Sequence, residues 1–213
     1  MKINGDTTLK RFNTFDLIMI ALMAALGLGT KQLVRPLVSL ITIPLLIPGG
    51  ALAGGFYMLW LVLTKRFVPK FGSGIFFGLV QALVVMILPF GSHGIFTFIT
   101  YSMPGLAADI IEIIFRKMKS KWLSSLLEGA FSNLVGTIAV SSIIFELSVE
   151  VLLFVCLLAL FSGNIGGIIA YLIITRVKDP LILESIMENP AFQVKEEVEK
   201  ENIPHEEVTT EVA

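Results

Sequence analysis

Long apolar stretches without a single charge alternate along this chain with short basic clusters, and that alternation limits what it can fold into. The charge-free stretches are Leu17–Thr30, Pro36–Thr64, Phe71–Ala108, Gly129–Phe145 and Val151–Thr175. A membrane-spanning helix needs about 20 mostly apolar residues. The third stretch holds enough for two passes and breaks at Pro89-Phe90-Gly91-Ser92-His93-Gly94, where Pro and Gly punctuate the run. No alternating strand pattern occurs, so helices are expected rather than a barrel. The chain reads as an all-α polytopic membrane protein with six transmembrane helices at 15–34, 49–65, 72–89, 95–115, 122–145 and 150–175.

The basic residues sort onto one side of that layout. Lys2, Lys10 and Arg11 precede helix 1; Lys65, Arg66 and Lys70 join helices 2 and 3; Arg116, Lys117, Lys119 and Lys121 join helices 4 and 5; Arg176 and Lys178 follow helix 6. Positive loops stay inside, so both termini are expected in the cytoplasm. The outer connections Gly91–Gly94 and Glu146–Glu150 carry no Lys or Arg. Only Lys31 and Arg35 dissent. They stand just before Pro36–Gly50, an apolar segment with Pro36, Pro44 and Pro48, too short and Pro-rich to span. It is expected as a re-entrant or lid-like segment between helices 1 and 2, with its free backbone groups buried in protein.

Three parts follow: a cytoplasmic segment 1–14, a membrane domain 15–178 and a tail 179–213 that holds ten of the seventeen acidic residues. The tail has little to bury and is expected to be solvated and disordered. A basic leader before an apolar core also suits a cleaved signal peptide, but its removal would upset the charge sorting. The lone Cys156 offers no disulfide, and a buried thiol is its default role.

Catalytic signatures are missing. There is no HExxH, GxSxG, paired GxGD-type aspartate or P-loop, so no catalytic residue, metal site or cofactor is expected and ATP dependence would have to come from a partner. The bilayer is the expected surroundings, and no nucleic-acid partner is expected. Helix 1 carries Ala21, Ala25 and Gly29 at four-residue spacing, a smooth face that lets another helix approach closely, inside the bundle or from a partner.

With that layout the chain resembles, over residues 12 to 178, the S components of energy-coupling factor vitamin transporters, substrate-capture subunits with six helices and an Ala-rich small-xxx-small face on helix 1. Three passages are most similar to the thiamine and hydroxymethylpyrimidine group: Pro89–Gly94 followed by Tyr101-Ser102-Met103-Pro104-Gly105 through Asp109, then Leu127–Asn133, then Phe161–Gly167. The resemblance implies docking through Ala21, Ala25 and Gly29 on an energy-coupling transmembrane subunit that works with two ATPase subunits. It also implies capture of a vitamin or precursor from outside.

Polar groups within the membrane are costly and face a cavity or another helix. Gln81, Thr97, Tyr101, Asp109, Asn133 and Asn164 are therefore the candidate substrate contacts, with His93 at the outer end. His93, Thr97 and Tyr101 are spaced for one helical face, although a wet loop suits His93 and an interfacial belt suits Tyr101. Tyr101 could stack on a ring, and Asn133 and Asn164 could each offer donor and acceptor to a pyrimidine edge, or bond between helices. Asp109 would bind a cationic ring or bond to a neighbouring helix. Glu112 is expected to pair with Arg116 and Glu128 with Lys121 or Lys119. Two other classes compete: a solitary facilitator, which should show internal repeats, and an intramembrane enzyme using Asp109, Glu112 and Glu128.

Overall fold

The computed structural model describes residues 12–88, 94–115, 120–145 and 147–177. His93, Arg116 and the acidic tail lie outside the described residues. By contacts the chain divides into two units, Met1–Leu172 and Ile173–Ala213. The side-chain contacts and the cavity discussed below lie in the first.

Six α-helices make up the described residues: α1 Thr14–Thr42, α2 Gly49–Phe67, α3 Ser73–Ile87, α4 Thr97–Phe115, α5 Lys121–Val140 and α6 Val149–Val177. A 3₁₀ turn, Gly94–Phe96, leads into α4, and α5 continues into a π-helical turn, Ser141–Phe145. The helices starting at Thr14, Gly94, Lys121 and Val149 are long and apolar enough to cross a membrane, and Ser73–Ile87 is a shorter apolar helix. The fold is that of an all-α, multi-pass membrane protein.

The first helix departs from expectation. It runs through Pro36 to Thr42, so Pro36–Thr42 forms its last two turns and not a separate re-entrant segment. Proline at position 36 deletes one backbone bond, to the Gln32 carbonyl, but hydroxyls brace the turns beyond it. Ser39 Oγ donates to Pro36 O at 2.7 Å and Thr42 Oγ1 to Val38 O at 3.1 Å. Ile43 N–H then closes on Ser39 O at 3.0 Å. The chain reverses over residues 43–48, where Leu46 adopts a left-handed φ of 53°, an uncommon conformation for a side chain of that size. At 29 residues α1 is about 43 Å long, well beyond the roughly 30 Å of hydrocarbon a bilayer offers.

Small residues set the helix crossings. At Gly129 a β-carbon would stand 2.4 Å from Gly163 O, and at Gly166 it would stand 2.0 Å from Gly55 O. Gly74 and Gly105 meet in the same way, and Ser162 Oγ accepts from Gly55 N–H while donating to Leu52 O. Without a hydrophobic force between helices in lipid, such backbone contact and interhelical bonding hold them together. Ile47 and Ala51 pack on Val155 and Ala159 beside these crossings.

Two alanine substitutions separate packing from helix propensity. Alanine favours a helix over glycine by about 1 kcal/mol, yet Gly129→Ala is expected to destabilise the protein by about 1–3 kcal/mol because only backbone opposes the methyl. Gly29→Ala, where nothing lies within 4 Å, is expected to be neutral or stabilising. Thermal unfolding in detergent would measure both, and equal effects would sink this account of the crossing.

Candidate functional site

The last turns of α1, the 43–48 reversal and the start of α2 roof a cavity of about 680 Å³ whose other walls come from α3, α4 and α5. Lys31 and Arg35 enter it from α1, Tyr57 and Met58 from α2, Val85 from α3, Thr100, Tyr101 and Pro104 from α4, and Asn133, Gly136 and Thr137 from α5. Helical spacing explains the groupings. Lys31 and Arg35 are one turn apart, as are Tyr101 and Pro104, and Asn133 and Thr137, so each helix offers one stripe.

Within the cavity Lys31 donates to the Tyr101 hydroxyl. Its ammonium stands 4.0 Å from the centre of the Tyr101 ring and 5.5 Å from that of Tyr57, a cation held against two aromatic faces. Asn133 donates its amide to Ala159 O at 2.9 Å and reaches Ala51 O at 3.5 Å, so part of its capacity ties α5 to α6 and α2. Thr137 is only 4% exposed and its hydroxyl has no partner among the described residues.

Of the residues singled out from the sequence, Tyr101 and Asn133 line this cavity and Thr97, Gln81, Asp109 and Asn164 do not. Thr97 is buried one turn before Tyr101, its hydroxyl unpartnered. Gln81 donates to Ala24 O at 3.1 Å and presses on Gly27, pinning α3 to α1. Asn164 lies on α6 with a buried oxygen lacking a partner. His93 is outside the described residues.

Asp109 has another task. Completely buried, it accepts from Lys65 at 2.5 Å and from the Gly74 and Ile75 N–H groups at 3.1 Å each. Both oxygens are committed to α2 and to the first turn of α3, leaving neither for a cationic ring. The same lysine meets Glu112, so Glu112 has a cation from α2; its expected partner Arg116 lies outside the described residues. Glu128 likewise pairs with Arg66 at 2.7 Å, not with Lys121, and accepts from Ser124 at 2.8 Å. Arg66 also donates to Ser125 at 3.0 Å. The physical reason is shared: the basic end of α2 brings Lys65 and Arg66 against the carboxylates of α4 and α5. Trp60 Nε1 donates to Thr30 Oγ1 at 2.9 Å, tying α2 to α1.

Sequence reasoning missed Lys31, Arg35, Tyr57 and Thr137 as cavity residues. For the first two the signal was present, since they alone broke the charge sorting. Thr137 follows Asn133 by one turn; nothing local distinguishes Tyr57.

The roles of the two charged groups separate by experiment. Lys65→Met leaves Asp109 buried without its cation and is expected to cost about 3–5 kcal/mol of stability, while Lys65→Met with Asp109→Leu recovers much of it. Unfolding temperatures in detergent check this, and a stable single variant would contradict it.

Residues 15–135 match a family model described as "ABC-type cobalt transport system, permease component". No curated protein and no solved structure matches the chain.

Proposed function

Since the chain belongs to the family of ABC-type cobalt transport permease components, multi-pass proteins of the cell membrane that act with other transporter subunits and ATPases, we propose that it is the substrate-capture subunit of an energy-coupling factor importer. It binds a vitamin or vitamin precursor from outside, with thiamine and hydroxymethylpyrimidine first among those its sequence resemblance implies. In this reading all six helices span the membrane with both termini inside, and the cavity faces outward.

The observation that carries the proposal is the cavity. Its volume of about 680 Å³ falls within the roughly 300–1,000 Å³ of small-molecule sites. Its wall mixes apolar surface with a few convergent polar groups: Tyr57 and Tyr101 for stacking, Asn133 and Thr137 for hydrogen bonds. Among the described residues no His, Cys, Asp or Glu belongs to the lining, and no group of three such side chains stands together. Those walls suit an organic molecule better than the bare ion in the family's description. The three acids that an intramembrane enzyme would use are engaged with Lys65 and Arg66 instead.

A second surface supports the partner half of the proposal. Ala21, Ala25 and Gly29 face outward along α1 while Ala24, Gly27 and Leu28 face the bundle, and space beside Gly29 is open. A smooth outer face is what a coupling helix of the energy-coupling transmembrane subunit would need to approach closely. Two ATPase subunits beneath it would supply the energy.

Native mass spectrometry of the protein purified alone tests the capture role, with thiamine, hydroxymethylpyrimidine, riboflavin and biotin added in turn; a stoichiometric small molecule is the expected result. Ala25→Phe is expected to reduce recovery of the coupling subunit at least tenfold in co-purification while leaving ligand binding unchanged. Equal loss of both would mean that the stripe serves the subunit's own fold.

A further inference from the structure

The charges around the cavity bear on the chemistry of its ligand. Lys31 and Arg35 both line it, whereas none of its lining residues among the described ones is acidic. Among the described residues no ion pair engages Lys31, whose contacts are the two tyrosines. The first turn of α2 adds a third positive source. Pro48, Gly49 and Gly50 line the cavity, and no side chain caps this 19-residue helix. The N–H groups of a first helical turn lack intrahelical partners and together carry about half a positive charge. At Gly50 a β-carbon would meet nothing within 4 Å, so the backbone there is open to close approach. Finally, the buried Thr137 hydroxyl is without a partner in the same wall, and buried polar groups normally have one.

From this convergence we infer that the ligand is an organic anion, a carboxylate or phosphate ester carried on a planar ring. Its anionic oxygens sit between Lys31, Arg35 and the first turn of α2, its ring against Tyr57 and Tyr101, and a polar atom at Thr137. The inference rests on the capture role proposed above and departs from it on the ligand, setting aside thiamine and unphosphorylated hydroxymethylpyrimidine. A thiazolium cation would meet like charge here, and a neutral pyrimidine would leave the Lys31 ammonium without an anion. The same oxygens could belong to a lipid headgroup, so the test separates the two sources.

Full-length protein in neutral detergent is titrated calorimetrically with matched pairs: nicotinate and nicotinamide, biotin and biotinamide, hydroxymethylpyrimidine phosphate and hydroxymethylpyrimidine, with thiamine as the cation. In at least one pair the anion is expected to bind about 10- to 100-fold more tightly, the range for hydrogen bonds to charged groups. Lys31→Gln removes most of that preference while the neutral member stays within about threefold, and Lys31→Arg retains it. Should Lys31→Gln not fold, Arg35→Gln reports on the same preference. Tighter binding of thiamine or of neutral members, or a preference indifferent to these substitutions, overturns the anion and leaves the capture role standing. A stoichiometric phospholipid in the native mass spectrum that no anion displaces overturns the soluble source. Binding of no compound at all refutes the capture role, and the anion with it.

Discussion

Lys65 holds the inner architecture together. Its ammonium, 1% exposed at the end of α2, contacts Asp109 and Glu112 on α4, Ser73 at the start of α3 and the Lys70 carbonyl in the turn between. Next to it Arg66 binds Glu128, Ser124 and Ser125 on α5, and Lys70 reaches back to Asp16 on α1. Two adjacent residues of one helix thereby set the registers of three others. Burial of paired charges contributes little net stability, because desolvation offsets the attraction; what it supplies here is exclusivity. A slip of α4 by one turn would strand an ion in a low-dielectric interior, so alternative registers are penalised far more heavily than the native one is favoured.

With one end of the bundle bound in this way, the other can be open. The cavity is walled by α1 to α5, and Ile43, Leu46, Ile47 and Pro48 of the reversal belong to its lining. The charges divide accordingly. At the bound end Lys65 and Arg66 meet three carboxylates, whereas in the cavity Lys31 meets two aromatic rings and a hydroxyl.

Helix positions were largely legible from the sequence because hydropathy in a membrane chain reports on lipid contact directly: α2, α3 and α6 fall within about two residues of expectation. The extent of α1 was not, since proline and glycine density over 36–50 resembles a broken segment, and the braces that carry the helix past Pro36 come from Ser39 and Thr42. The site was half legible. Tyr101 and Asn133 stood out as intramembrane polar groups, but Asp109 and Gln81 stood out for the same reason and serve helix contacts. Which polar residue faces a void and which faces a neighbour depends on rotation and partner distance, quantities that a single chain's periodicity leaves undetermined. Lys31 and Arg35 were visible only as exceptions to a rule about loops.

The first helix carries the cavity's cations toward the bundle and the alanine–glycine stripe away from it, within one 29-residue element. Sharing a rigid body ties the two surfaces by thermodynamic reciprocity. If seating a partner on the stripe weakens cargo binding tenfold, cargo must weaken partner binding by the same factor. A subunit that unloads when docked therefore cannot be recruited by its own cargo. In such a subunit the loaded form is the reluctant one, and under the role proposed for this chain the work of bringing it to the partner would come from outside the pair, from the nucleotide cycle of the ATPases.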